Sequence, residues 1–82
     1  MTITVYSRPG CHLCDELMAE LTPLCQARGV TPRVVDVESD PELSRRWGMH
    51  IPVVVGEEGE LCRHRLDRRV IENYLEALAA GH

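Results

Sequence analysis

The chain has 82 residues, 44% of them hydrophobic and 27% charged, with a net charge of −4. That is room for one domain with a thin core, burying only roughly 60–65% of its unfolded surface. Every basic residue is an Arg, and the aromatic residues are only Tyr6, Trp47 and Tyr74. This argues against a nucleic-acid binder, which normally combines net positive charge with stacking aromatics. The Arg cluster at 45, 46, 63, 65, 68 and 69 therefore reads as solvated surface.

In chain order, Thr2 to Tyr6 alternates in the manner of a strand. No leader segment is expected ahead of it, and no apolar run approaches the ~20 residues of a membrane span. The expectation is a protein of the reducing cytoplasm with no membrane partner. Pro9-Gly10 breaks the strand. A helix is expected from Asp15 to Cys25, because Cys14, Leu17, Met18, Leu21, Leu24 and Cys25 form one apolar stripe. Pro23 removes a donor to the Ala19 carbonyl, so a kink or an early end is expected there. Gly29 is a plausible C′ stop.

Thr31 to Val37 predicts a second strand. Asp40 as N-cap, Pro41 at the first helical position and Glu42 in the first turn start a short helix. It ends at Trp47, with Gly48 behind it. Ile51-Pro52 leads into Val53-Val54-Val55, an apolar run suited to a strand buried on both faces. Gly56 to Gly59 is a hairpin turn into an edge strand from Glu60 to Arg65. Asp67 caps a final helix with Val70, Ile71, Tyr74, Leu75 and Leu78 on its apolar face, and Gly81-His82 should fray. The order is β-α-β-α-β-β-α, with the first two strands parallel through a right-handed crossover and the last two antiparallel.

Between the first strand and the first helix stand Cys11-His12-Leu13-Cys14. Two cysteines at this spacing suit disulfide exchange and half of a zinc site alike. Cys25 falls on the apolar helix face and reads as a small core residue. Strand alternation puts Cys62 and His64 on one face, opposite Arg63 and Arg65. Cys62 is then either a buried structural thiol or, with Cys11, Cys14 and His64, one ligand of a Cys₃His zinc set. Trp47 is a helix cap or a partner contact, and His50 a groove residue or a plain loop residue.

With Tyr6 to Cys14 and Trp47 to Val53 in view, the chain resembles the glutaredoxin branch of the thioredoxin fold along nearly its whole length. More closely, it resembles small bacterial glutaredoxin-like proteins without an assigned role. The resemblance implies an α/β, thioredoxin-like fold, with a four-stranded mixed sheet flanked by three helices. It also implies a cis Ile51–Pro52 bond packed opposite the dithiol. Arg8 matches a basic position near the glutathione site of that family. The chain departs from the pattern in three places: His50-Ile51 replaces Thr-Val before the Pro, and His12-Leu13 replaces Pro-Tyr between the cysteines. His64-Arg65-Leu66 stands where a Gly-Gly turn is usual, leaving Asp67 as the only stand-in for the acid that helps hold glutathione.

These residues imply a thiol–disulfide oxidoreductase in which Cys11, at the N-cap or N1 position, is the attacking thiolate. Arg8 and a protonated His12 would favour the anion, while Asp15 and Glu16 oppose it. Cys14, one turn on, would resolve the mixed disulfide. His50, Ile51, Pro52 and Asp67 join Arg8 and His12 as candidate substrate-binding residues. No resident cofactor is expected, and glutathione is a candidate co-substrate only. The expected partner is a disulfide-containing protein or a low-molecular-weight thiol, and the chain should be a monomer. Two other functions stay open: a zinc or iron–sulfur protein, and a non-catalytic module that binds a partner in the groove beside Pro52.

Overall fold

The two periodicities in the sequence resolve into alternating strands and helices in the computed structural model, which describes residues 2–80. In order these are β1 (Thr4–Ser7), α1 (His12–Gln26), β2 (Arg33–Asp36), a 3₁₀ turn (Val37–Ser39), α2 (Pro41–Trp47), β3 (Val53–Gly56), β4 (Gly59–Arg63) and α3 (Arg68–Ala80). The sheet runs β2-β1-β3-β4. β1 is parallel to β2 and antiparallel to β3, and β3 is antiparallel to β4. The expected element order and mixed sheet are therefore present. The fraying expected at Gly81-His82 lies outside the described residues.

Register decides which side chains share a face. Val5 opposes Val54, and Val54 opposes Cys62, so all three point to one side of the sheet. On that side Val5 and Val54 join Ile3, Leu17, Leu21, Cys25, Ile71 and Leu75 in the main core. The predicted α1 stripe is buried at Cys14, Leu17, Leu21 and Cys25. Tyr6 is aligned with both Val35 and Val53 and faces the other way. There Trp47 of α2 stacks on it, with ring centroids 5.2 Å apart and planes 14° apart.

Several boundaries differ from expectation: β1 is Thr4–Ser7 rather than Thr2–Tyr6, β2 begins at Arg33 rather than Thr31, and others have a clear local reason. α1 begins at His12, three residues early, because Cys11 serves as its cap. It also runs through Pro23 to Gln26 without ending early, held by the buried residues Leu21 and Cys25 on either side. Gly29, at φ +68°, closes it as expected: its N–H donates to Gln26 O (3.2 Å) and that of Val30 to Cys25 O (2.9 Å). β2 stops at Asp36, whose Oδ1 accepts from Glu38 N–H at 2.8 Å and turns the chain. β4 stops at Arg63, because His64, after one last cross-strand bond from its N–H to Pro52 O at 2.7 Å, adopts φ +68° and leaves strand geometry.

Asp40 accepts from Glu42 N–H at 2.8 Å and caps α2, as predicted. Asp67 likewise caps α3, accepting from Val70 N–H at 3.2 Å.

Candidate functional site

Gly10, at φ +76°, brings the chain out of β1 and delivers Cys11 to the first position before α1. Cys11 is extended there (φ −92°, ψ 109°), and its Sγ accepts from Cys14 N–H at 3.2 Å. A sulfur thus occupies the place where a Ser or Asp oxygen usually satisfies an orphan N–H. The helix dipole and the free N–H groups at this end favour negative charge on that atom. Cys14 lies on the sheet-facing side of α1 and is 2% exposed, while Cys11 is half-buried. Their Cα atoms are 5.2 Å apart, and the two sulfurs are within bonding distance. This spacing forms a disulfide with little backbone adjustment.

The Ile51–Pro52 bond is cis. Because the β1–β3 ladder ends at the Tyr6–Val53 pair, the buried Pro52 lies just before that pair, at the end of the sheet from which β1 leads to the dithiol. Ile51 and His50 are half-buried, and His50 N–H donates to Trp47 O at 2.8 Å.

The other predicted site residues scatter in their commitments. The His12 side chain is 89% exposed, and its Nε2 lies 3.7 Å from Glu16 Oε2 one turn along. Arg8 Nη2 donates to Gly48 O at 2.8 Å, and its Nε lies 3.9 Å from Glu38 Oε2. Asp67 spends a carboxylate oxygen on the α3 cap. Nothing in the sequence pairs Arg8 with Gly48 or Glu38, which are 40 and 30 positions away. Only the fold brings them together.

Cys62 and His64 do not complete a metal set with the dithiol. Among the described residues, no group of three or more His, Cys, Asp or Glu side chains could hold a metal ion. The alternation expected to align Cys62 with His64 ends at Arg63. Cys62 is half-buried against the core; burial pushes its thiol pKa up, a backbone hydrogen bond from Asp67 pulls it down, and the nearby acids Asp67 and Glu60 raise it further. Cys25 is fully buried, and burial likewise raises its pKa. Both are poor nucleophiles near neutral pH. Two exposed apolar side chains flank the site in sequence: Leu13 between the cysteines, and Met49, 92% exposed, three residues before Pro52.

A family model described as a glutaredoxin-like domain (DUF836) matches residues 2–76. Among solved structures, protein Ne2328 from Nitrosomonas europaea is similar at 35% identity, covering 89% of this chain and 88% of that one, with a TM-score of 0.77. A protein from X. campestris is similar at 29% identity over 93% and 97% of the two chains, with a TM-score of 0.68. Thioredoxin 1 from Thermosipho africanus, at 18% identity over 99% and 98% and a TM-score of 0.67, shares the fold. No curated protein matches the chain.

Proposed function

We propose that this chain, which belongs to the glutaredoxin-like domain (DUF836) family, is a thiol–disulfide oxidoreductase working through Cys11 and Cys14. The observation that carries the proposal is the N-cap position of the Cys11 sulfur, with a buried partner thiol one turn on. In the reduced protein, the Cys11 thiolate attacks a substrate disulfide, and one substrate sulfur leaves as a thiolate. The remaining mixed disulfide is attacked by Cys14, which gives up its proton, bonds to Cys11 and releases the second substrate thiolate. Two electrons pass to the substrate, and its two sulfurs take up two protons. A reductant of thiol class reverses the sequence.

Cys14 is protected from external disulfides by its burial, so the attacking role falls to Cys11. Ile51 and Pro52 form the wall of the site at the end of β3, and His12, Leu13, His50 and Met49 offer its rim. Glutathione is one candidate thiol. The absence of a Gly-Gly turn before α3, and the engagement of Arg8 and Asp67 within the protein, favour a disulfide-containing protein instead. The cytoplasm, with its thiol pool, is the proposed compartment.

The test is a redox titration of the Cys11–Cys14 pair across a glutathione series. A reversible two-electron transition is expected, moving about 30 mV per tenfold change in the reduced-to-oxidised ratio. Iodoacetamide should label Cys11 faster than Cys14, with a midpoint below the ordinary thiol value of about 8.5. A Cys14→Ser variant should accumulate the mixed disulfide at Cys11. A pair that fails to titrate, or equal labelling rates with an unshifted midpoint, would overturn the proposal.

A further inference from the structure

We propose that Arg8 is a positioning residue: its guanidinium latches the loop that carries Ile51–Pro52 to the turn that carries the dithiol. It rests on the exchange reaction proposed above for what the latch is used for, and on geometry alone for its existence. Arg8 lies three residues before Cys11, where a cation would be expected to pair with the thiolate. Its donors point elsewhere. Nη2 donates to Gly48 O at 2.8 Å, on the residue that closes α2. That carbonyl sits at the negative end of the helix, where a cation is favoured and a charge-assisted bond is strong. Nε is buried without a hydrogen-bond partner among the described residues, and the Glu38 carboxylate 3.9 Å away offsets part of its charge.

Leaving a buried guanidinium N–H unpaired costs stability. The side chain is thus held by what its other end does. Arg8 thereby joins three segments: the turn before Cys11, the 3₁₀ turn bearing Glu38, and the start of the loop from Gly48 to Pro52. A Cβ at position 48 would first meet the Ser44 backbone oxygen of α2 and would also lie 3.3 Å from Nη2. Between Gly48 and Pro52 the chain is also held by Gly48 N–H on Ser44 O (2.9 Å), by His50 N–H on Trp47 O (2.8 Å) and, at its far end, by His64 N–H on Pro52 O (2.7 Å). Pro52 enters β3 just before the Tyr6–Val53 pair, at the end of the sheet where β1 leads to Cys11, so movement of this loop changes the wall that a substrate disulfide meets. Misplacement of about 1 Å at such a wall costs as much as ~10²-fold in rate.

The experiment uses Arg8→Met, which keeps the apolar stem, and Arg8→Lys, which keeps the charge but not the fork. Amide hydrogen exchange is followed in the oxidised protein, and iodoacetamide labelling of Cys11 against pH in the reduced one. Both variants should speed exchange at the Gly48 and His50 amides by roughly tenfold, with α3 amides unchanged. Neither should move the midpoint of Cys11 labelling. A midpoint raised by about one unit or more in Arg8→Met and restored in Arg8→Lys would make Arg8 the thiolate's counter-ion and overturn the latch. Unchanged exchange at Gly48 and His50 would overturn it as well. If the parent protein shows no two-electron transition with glutathione, the exchange reaction falls while the loop amides still decide the latch.

Discussion

Tyr74 does more than its place in an apolar stripe suggests. Its Oη donates to Thr2 O at 2.6 Å and accepts from Glu57 N–H at 2.9 Å, tying α3 to the entry of β1 and to the β3–β4 turn. The ring lies directly over Gly56, where an added Cβ would meet ring carbons at 2.6 Å. Gly56→Ala should therefore cost about 1–3 kcal/mol by forced repacking. Tyr74→Phe, which loses two hydrogen bonds, should cost about 1–3 kcal/mol. Urea midpoints at constant m-value measure both, and a neutral Gly56→Ala would show that Tyr74 is free to move aside. Neither contact was legible in the sequence, because Gly56 there reads as a turn glycine and Tyr74 as a helix face residue. Their meeting is a product of how the hairpin docks on α3.

At the scale of elements, β4 shows how an edge strand is ended. Val54 opposes Cys62 but Val55 opposes Glu60, so the register shifts at Leu61. Such a bulge sharpens the twist of an edge and helps keep it from pairing further. Arg63 Nε donates to Glu60 Oε2 at 2.6 Å, with Nη2 on the other carboxylate oxygen. The Arg63 hydrogen bonds hold the Glu60 carboxyl below its usual range against partial desolvation, with the charges of Arg63, His50 and His64 adding to them. A depressed folded-state value means stability that is complete above the ordinary glutamate range, about 4.3, and lost as pH falls through the folded value. Parent and Glu60→Gln should therefore differ at pH 7 by less than about 1 kcal/mol, since the pair is partly solvated. That gap should close in strong acid; a gap constant from pH 7 to pH 2 by thermal melts would rule the ion pair out as its source.

For the molecule as a whole, one small core on the α1–α3 side of the sheet carries most of the apolar burial. A second, thinner layer lies on the α2 side, where Val37 and Val53 are buried and Tyr6 meets Trp47. Domains of this size have about 5–15 kcal/mol in total. Leu21 is fully buried at the centre of α1, so Leu21→Ala should remove about 2–5 kcal/mol. Chemical denaturation measures this, and a loss under about 1 kcal/mol would mean that α1 collapses readily into the space. Among the described residues, no helix is long and apolar enough to cross a membrane.

Sequence by itself determined what is local. The α1 stripe, the Asp40-Pro41 start, the Gly29 stop, the Asp67 cap and the order of elements all follow from contacts within a few residues, where spacing maps directly onto geometry. The cis Ile51–Pro52 bond was legible only through family resemblance, since local preference favours trans. Tertiary structure alone decided where Arg8 spends its charge, that Cys62 and His64 part company after Arg63, and that Trp47 lies on Tyr6. Those outcomes depend on groups about 30 to 40 positions apart, or on one residue's departure from strand geometry. Side-chain partners across such distances are set by how faces pack, and periodicity along the chain carries no record of that.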